Sequence, residues 1–308
     1  MLRTAVVGTG SMGRNHVRIL SALAGSDLVG IFDGDANTAA ALAAEHGTEA
    51  CASLEELLGR QPEAVVLAVP TTLHREIGER LFDAGCHVLV EKPIAGNLGD
   101  ADALIAAAGN AGRILHVGHV EFFNPAVQAL LSLEESARFV EVERLSTFSP
   151  RSLDVDVILD LMIHDLQLLH ALDGTPIREI RATGIHVLSP KIDIANARLE
   201  FESGLVANVT ASRVSATPAR NLRVFGHQRY VSIDYREQEI KGYQLSDAGG
   251  GRQIVPIPVT VERREPLLGE LEAFLAACRG EDARAVDGAA GREALATALA
   301  LVEEIASH

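Results

Sequence analysis

The chain has 308 residues, 47% of them hydrophobic and 22% charged, with a formal net charge of −15. That length suits one large or two medium domains, each with its own core, and the acidic balance excludes nucleic acid or an anionic membrane as partner, since both need clustered Lys and Arg. Cys51, Cys86 and Cys278 have neither C-x-x-C spacing nor an even count, so they read as reduced thiols of a cytoplasmic protein; the first apolar run begins at residue 3, which leaves no room for a signal peptide, and no run reaches membrane length.

Arg3-Thr4-Ala5-Val6-Val7 reads as a buried parallel strand, and Met12 to Leu23 repeats apolar residues at helical spacing. Between them lies Gly8-Thr9-Gly10-Ser11-Met12-Gly13, the dinucleotide fingerprint in its strand–turn–helix context. Gly8 permits the tight turn, Gly10 lets a pyrophosphate approach the backbone, and Gly13 lets helix and strand pack closely. The helix start, with Ser11 and Met12, then faces the phosphates. Leu28 to Phe32 is the next strand and ends at Asp33, about 20 residues past the glycines, where an acid accepts the ribose hydroxyls. Asp33 repels a 2′-phosphate and Gly34 supplies no cation, so the expected cofactor is NAD.

Ala36 to His46 is alanine-rich and helical, closed by Gly47; Ser53 caps a short helix that stops at Gly59. Ala64 to Val69 is a strand without polar residues, ending at Pro70-Thr71-Thr72-Leu73-His74, and a helix follows to Ala84. His87 to Val90 is a strand ending at Glu91-Lys92-Pro93, Asn97 or Asp100 caps a helix to about Ala108, and Arg113 to Val117 is a strand ending at Gly118-His119. This alternation predicts a Rossmann α/β domain, a doubly wound parallel sheet, over residues 1–120. Ligands of such sheets bind beyond the carboxyl ends of the strands, where Pro70, Thr71, His74, Glu91, Lys92 and His119 fall. His16, His46 and His116 read as structural or surface histidines.

Pro125 opens a helix to about Leu133, Ala137 to Phe148 and Val155 to Leu159 look extended, and Asp160 to Leu172 looks helical. Ile177 to about Ile257 is a string of short β-rich runs, with a hairpin signal at Ser203-Gly204. Asp247 to Gly251 reads as a hairpin tip, and helices over Glu265 to Cys278 and Ala289 to Ala306 close the chain. Residues 121–308 are therefore expected to form an α+β domain with a large open, mainly antiparallel sheet. One uncovered face on such a sheet predicts a homodimer or homotetramer.

Taken together, Gly8-Thr9-Gly10-Ser11-Met12-Gly13, Ala68-Val69-Pro70 with His74, Glu91-Lys92-Pro93 and Asp160-Leu161-Met162-Ile163-His164-Asp165 resemble the Gfo/Idh/MocA family of NAD(P)-dependent sugar and polyol oxidoreductases. The resemblance implies that Lys92, Asp160 and His164 line the reacting end of the pocket and that Lys92 also touches nicotinamide or its ribose. Val117 to Pro125 and the Asp160–Asp165 segment resemble a subgroup that oxidises UDP-N-acetylhexosamines at C3 for a partner aminotransferase. The chain departs from that subgroup at Phe122, where the subgroup has arginine.

Oxidising a secondary alcohol needs a base with a pKa near working pH, which suits histidine, or a lysine lowered by burial or a nearby cation. Either Lys92 or His164 fits, and Asp160, at i and i+4 with His164, shares a helix face with it and can orient the ring or bind a hydroxyl. Asn124, Arg144, Arg151 and Arg213 are the candidate substrate contacts, the arginines for anionic groups. No His/Cys/Asp/Glu set has metal-ligand spacing, so no metal is expected. A dehydrogenase of a free polyol such as inositol, and a non-catalytic NAD-binding redox sensor, are the alternative readings.

Overall fold

A computed structural model of the chain describes residues 1–133, 137–149, 155–247 and 251–307. Its contacts divide it into two units: Met1–Val120 with Leu267–Arg292, and Glu121–Pro266 with Glu293–His308.

The first unit is built on five parallel strands, β1 (Leu2–Val7), β2 (Ser26–Phe32), β3 (Ala64–Leu67), β4 (His87–Glu91) and β5 (Leu115–Gly118), in the order β2-β1-β3-β4-β5. All four residues of β3 are buried, as its lack of polar side chains predicts for a sheet covered on both faces. The connecting helices are α1 (Gly13–Ala22), α2 (Ala36–His46), α3 (Leu54–Gly59), α4 (His74–Asp83) and α5 (Leu98–Ala111). Three of them start on the cap the sequence supplies: Asp35, Ser53 and Asn97 each accept hydrogen bonds from the first-turn backbone.

The boundary falls in a 3₁₀ turn at Val120–Phe123, and the second unit continues with helix α6 (Pro125–Ser132) and strand β6 (Ala137–Leu145). A π-helical turn at Ile158–Met162 leads into α7 (Ile163–Asp173), followed by β7 (Ile177–Ile185), β8 (Ile194–Phe201), β9 (Val206–Ser212), β10 (Ala219–Gly226), β11 (Arg229–Asp234), β12 (Glu239–Ser246) and β13 (Gln253–Pro256). The strands form one sheet in the order β13-β12-β11-β10-β6-β9-β8-β7. Every pairing is antiparallel except β6 with β9, which is parallel. Strand alternation separates the faces: Val140, Val142, Val209, Leu222, Val224 and Ile233 are buried, whereas Phe139, Glu141 and Glu143 are only half-buried.

Two expectations change. Val155 to Leu159 is not extended: Val157 is already helical and Ile158 and Leu159 belong to the π turn. The β-branched residues suggest a strand, but Val157 and Ile158 are fully buried and the Val157 and Ile192 backbones anchor the turn, Val157 N donating to Ile192 O and Ile192 N to the Asp156 carboxylate at 2.9 Å each; burial overrides local propensity. Nor do residues 121–308 group as one domain. The penultimate helix α8 (Pro266–Cys278) and the start of α9 (Gly288–Ala306) cluster with the first unit. There Leu267, Leu271, Phe274 and Leu275 of α8 complete the core that Val17, Leu20, Val66 and Leu89 begin. The intended hairpin tip at Asp247 to Gly251 falls largely outside the described residues.

Candidate functional site

In the first unit the glycine loop has the shape a dinucleotide requires. Gly8 adopts φ +92°, and a Cβ there would sit 2.4 Å from Ala68 O. A Cβ on Gly13 would sit 1.9 Å from Gly8 O, so helix and strand approach at a distance only glycine allows. Gly10, by contrast, has open space on its side-chain face, and Gly10 and Ser11 are exposed. No side chain caps the start of α1 and its first turn holds no acid; Arg14 N and Asn15 N donate to Gly10 O and Met12 O, and the positive end of the helix dipole is left open to an anion. Met12 is half-buried and packs at the edge of the core.

Asp33 lies at the end of β2, half-buried, with Oδ2 accepting from Thr9 N at 2.5 Å and Thr9 Oγ1 at 2.8 Å, and Oδ1 accepting from Asp35 N at 2.9 Å. Burial raises its pKa, but the hydrogen bonds from Asp35 and Thr9 outweigh that effect and hold the carboxyl below its usual range. It is thus an ionised acceptor tied to the glycine loop. Asp35, the cap of α2, puts a second carboxylate beside it.

At the other strand ends the predicted residues separate into presented and buried ones. Pro70 is exposed, and Thr71 and Lys92 are half-buried. His74, expected to touch the cofactor, is instead 1% exposed with both ring nitrogens on main-chain carbonyls: Nδ1 on Pro93 O at 3.1 Å and Ile94 O at 3.2 Å, Nε2 on Val69 O at 3.0 Å. It ties the loop after β3 to the loop after β4, and burial lowers its pKa. Glu91, also expected at the cofactor, is buried; its Oε1 lies 2.7 Å from His16 Nε2 and its Oε2 accepts from Lys92 N at 3.2 Å. His119 is fully buried, and desolvation followed by the positive charge of Lys92 lowers its pKa to about 3, so it stays neutral. These three histidine and glutamate side chains support the ligand edge from within.

In the second unit Asp160 sits in the π turn and His164 in the first turn of α7, both half-buried. Such π turns are frequent at functional sites. The next residue, Asp165, is fully buried and accepts a bidentate pair from Arg144, Nε to Oδ2 at 2.6 Å and Nη2 to Oδ1 at 2.8 Å. Arg144 also donates Nη1 to Glu121 Oε1 at 2.9 Å and lies over the Tyr235 ring, 5.1 Å from its centroid. Burial alone would lower the Arg144 pKa, but Asp165 and Glu121 hold it well above its usual value.

Arg144 is therefore not presented to a substrate. Its side chain is 2% exposed and its donors are committed to two carboxylates. Arg213 is corrected likewise: 5% exposed, it donates Nη2 to Val155 O and to Ile192 O, beside Asp193 at 3.6 Å. Asn124 is 2% exposed and caps α6, accepting from Ala126 N at 3.1 Å while donating to Tyr235 O at 2.9 Å. Arg151 lies outside the described residues.

Sequence reasoning missed Arg220, directly opposite Arg144 in the β6/β10 pairing and so on the same sheet face. Its side chain is 41% exposed, with one bond to Glu121 Oε1 at 3.3 Å. The signal was available in the even spacing of Arg220 with the buried Leu222 and Val224. Among the described residues no group of three His, Cys, Asp or Glu side chains could hold a metal ion, and no helix is long and apolar enough to cross a membrane.

A family model described as an oxidoreductase family with an NAD-binding Rossmann fold matches residues 2–119, and the GFO/IDH/MocA C-terminal domain model matches residues 103–232. The chain is 39% identical over 305 residues to the UDP-N-acetylglucosamine 3-dehydrogenase of Acidithiobacillus ferrooxidans, covering 97% of this chain and 95% of that one. The solved structure of that dehydrogenase superposes with a TM-score of 0.91 at 38% identity, over 99% of this chain and 98% of the other. The inositol 2-dehydrogenase of Rhizobium meliloti is 27% identical over 99% of this chain and 97% of its own length.

Proposed function

We propose, proceeding from the fact that this chain belongs to the Gfo/Idh/MocA family of oxidoreductases, that it is an NAD-dependent dehydrogenase oxidising the C3 hydroxyl of a UDP-linked N-acetylhexosamine. The observation that carries the substrate is the 39% identity, nearly end to end, with a UDP-N-acetylglucosamine 3-dehydrogenase.

The residues present fit the cofactor. Gly10 leaves room for a pyrophosphate, the start of α1 offers it the positive end of the helix dipole, and Asp33 is an ionised acceptor for ribose hydroxyls. Asp33 and Asp35 together repel a 2′-phosphate, which favours NAD over NADP. When bound, the nicotinamide accepts the hydride that leaves the alcohol carbon. The chain must take the hydroxyl proton, and Lys92 and His164 are the side chains we assign to it, with Asp160 binding a hydroxyl or orienting the imidazole. His119, neutral and buried beside the charge of Lys92, adds no competing cation.

A nucleotide handle supplies remote binding energy that positions one hydroxyl for reaction. Its two phosphates need a cation, and with Arg144 and Arg213 committed elsewhere we assign Arg220, which has an exposed guanidinium. A 3-keto sugar is an acceptor for transamination, so the expected consumer of the product is an aminotransferase, in the cytoplasm where NAD and nucleotide sugars are drawn on.

The partner we assign to the open sheet face is a second copy of the chain. Val206, Phe139, Phe225, Tyr230, Tyr243 and Pro256 stand opposite one another across five strand pairings, with ring centroids 5.7 Å apart for Phe139–Phe225 and 5.1 Å for Phe225–Tyr230. Beside this apolar row runs a charged one, with Arg223 paired to Glu141 and Glu143, so the face offers both signs to its own copy.

The deciding experiment measures NADH production with a panel of UDP-sugars and free polyols, using a keto-sugar trap to draw an unfavourable oxidation forward. The expected result is turnover of a UDP-N-acetylhexosamine. Turnover of inositol or glucose, with none of any UDP-sugar, overturns the assignment.

A further inference from the structure

The face of the parallel sheet that α1 covers is apolar until its last position. Val66 of β3 and Leu89 of β4 lie in one core with Val17 and Leu20 of α1. Glu91 follows Leu89 by two residues and so points the same way, yet it is a carboxyl at 6% exposure. An acid buried there is costly unless hydrogen bonds satisfy it. His16 on α1, 0% exposed, supplies one: its Nε2 donates to Glu91 Oε1 at 2.7 Å. His16 Nδ1 has no hydrogen-bond partner among the described residues, so the ring serves Glu91 alone. The neighbouring strand supplies the room. Gly118 of β5 stands directly opposite Glu91, and a Cβ on it would lie 3.1 Å from both Cδ and Oε2 of the carboxylate. The Gly118 backbone is not left-handed, so what this glycine contributes is space.

The carboxylate thus fixed spends its other oxygen on the next residue, with Lys92 N donating to Oε2 at 3.2 Å. Past Lys92 the chain is held again, His74 Nδ1 standing 3.1 Å from Pro93 O and 3.2 Å from Ile94 O. The Lys92 backbone is therefore gripped on both sides. Upstream, the grip depends on a single hydrogen bond that α1 makes to β4.

We propose that His16 and Glu91 are positioning residues for Lys92. Their hydrogen bond ties the helix whose start faces the cofactor pyrophosphate to the amide of the lysine assigned to the reacting carbon, and so sets the spacing between the two. Both side chains lie behind the ligand edge and act through the main chain. Without the His16 donor, Glu91 Oε1 is an unmet acceptor in a dry interior; the carboxyl turns away to find a donor and releases the Lys92 amide. A reacting group displaced by about 1 Å loses up to about 10² in rate. The role toward Lys92 rests on the reaction proposed above.

The experiment compares three variants: His16→Leu removes the donor, His16→Gln keeps an amide that can donate, and Gly118→Ala crowds the carboxylate from the opposite strand. With NAD and a UDP-N-acetylhexosamine, His16→Leu is expected to lower kcat by about tenfold or more while the NADH Kd stays within about threefold of wild type. His16→Gln recovers most of that loss. Gly118→Ala also lowers kcat at unchanged NADH affinity, and it carries the test if the leucine variant folds poorly. The double variant falls no further than the slower single one, because both changes act through one carboxylate. A hydrogen bond that only braces α1 gives the opposite split, with weaker NADH binding and a lower thermal midpoint at unchanged kcat. That split, additive losses in the double variant, or a glutamine variant as slow as the leucine one overturns the proposal. Lysine-selective ¹³C NMR reads the same geometry without a sugar, since Lys92, Lys191 and Lys241 are the lysines of the whole sequence. In the NADH complex His16→Leu and Gly118→Ala are expected to shift the Lys92 Cε signal and leave the other two in place; an unmoved Lys92 signal overturns the proposal. This measurement stands even if no UDP-sugar is turned over, so a failed substrate assignment and a failed positioning role give different results.

Discussion

Replacing Arg144 with alanine separates a buried structural cation from a substrate contact. The guanidinium holds Asp165, which is fully buried, and Glu121, whose side chain is 11% exposed. Without it two carboxylates remain in the interior of the second unit, with the Tyr235 hydroxyl at 3.4 Å from Asp165 and Arg220 at 3.3 Å from Glu121 as their remaining partners. Breaking a buried ion pair from one side costs about 3–5 kcal/mol, chiefly through the charge left uncompensated. At about 2–4 °C per kcal/mol for a cooperative unit of this size, the thermal midpoint is expected to fall by roughly 6–20 °C.

The pH dependence gives the cause a signature. In the variant the orphaned carboxyls have folded-state pKa values raised above their unfolded ones, so the folded state binds more protons. The destabilisation is complete above the raised values and is relieved as pH falls toward the unfolded range near 4. The gap between wild type and variant therefore narrows between pH 8 and pH 5. Calorimetry across that range measures it, and the triple variant Arg144→Met, Asp165→Asn, Glu121→Gln, which removes the charges together, recovers most of the loss. A midpoint within about 2 °C of wild type, combined with a raised KM for the sugar, would refute the reasoning and restore Arg144 as a substrate contact.

Asp33→Ala is expected to narrow any preference for NADH over NADPH in fluorescence titrations; tighter NADPH binding by the wild type would sink the cofactor assignment. Lys92→Ala and His164→Ala are each expected to cut turnover by about 10² or more while NADH affinity and thermal midpoint change little, and near-normal turnover in either variant removes that residue from the chemistry. Tyr243→Lys places a charge in the aromatic row of the open sheet and is expected to shift the species seen by light scattering toward the monomer. An unchanged mass, or a monomeric wild type, rejects that face as the interface.

The parallel sheet of the first unit was legible because its signals are local. Gly8, Gly10 and Gly13 have backbone roles that only their own neighbourhood decides, and Asp33 follows a strand that announces itself by apolar run and turn. The caps Ser53 and Asn97 were equally local. The placement of α8 was not, because a helix at residues 266–278 carries no mark of which core its Leu271 and Phe274 will complete. The π turn escaped for a related reason: Val155, Val157 and Ile158 have strand propensity, and only their burial against the rest of the second unit makes a helical turn preferable.

The arginines show where reading charge from sequence fails. An arginine in an acidic chain invites an anionic ligand, yet Arg144 meets its anions inside the protein, 21 positions away at Asp165 and 23 away at Glu121. Nothing in the spacing distinguishes that case from Arg220, whose backbone stands directly opposite Arg144 and whose guanidinium is open to solvent. The difference is made by α7, which delivers Asp165 to one arginine and not to the other. His164 precedes Asp165 on the same turn, so the ion pair that withdraws Arg144 from the ligand also fixes the backbone beside the proposed proton acceptor. A cation predicted to bind the substrate thus holds the helix that carries the proposed proton acceptor.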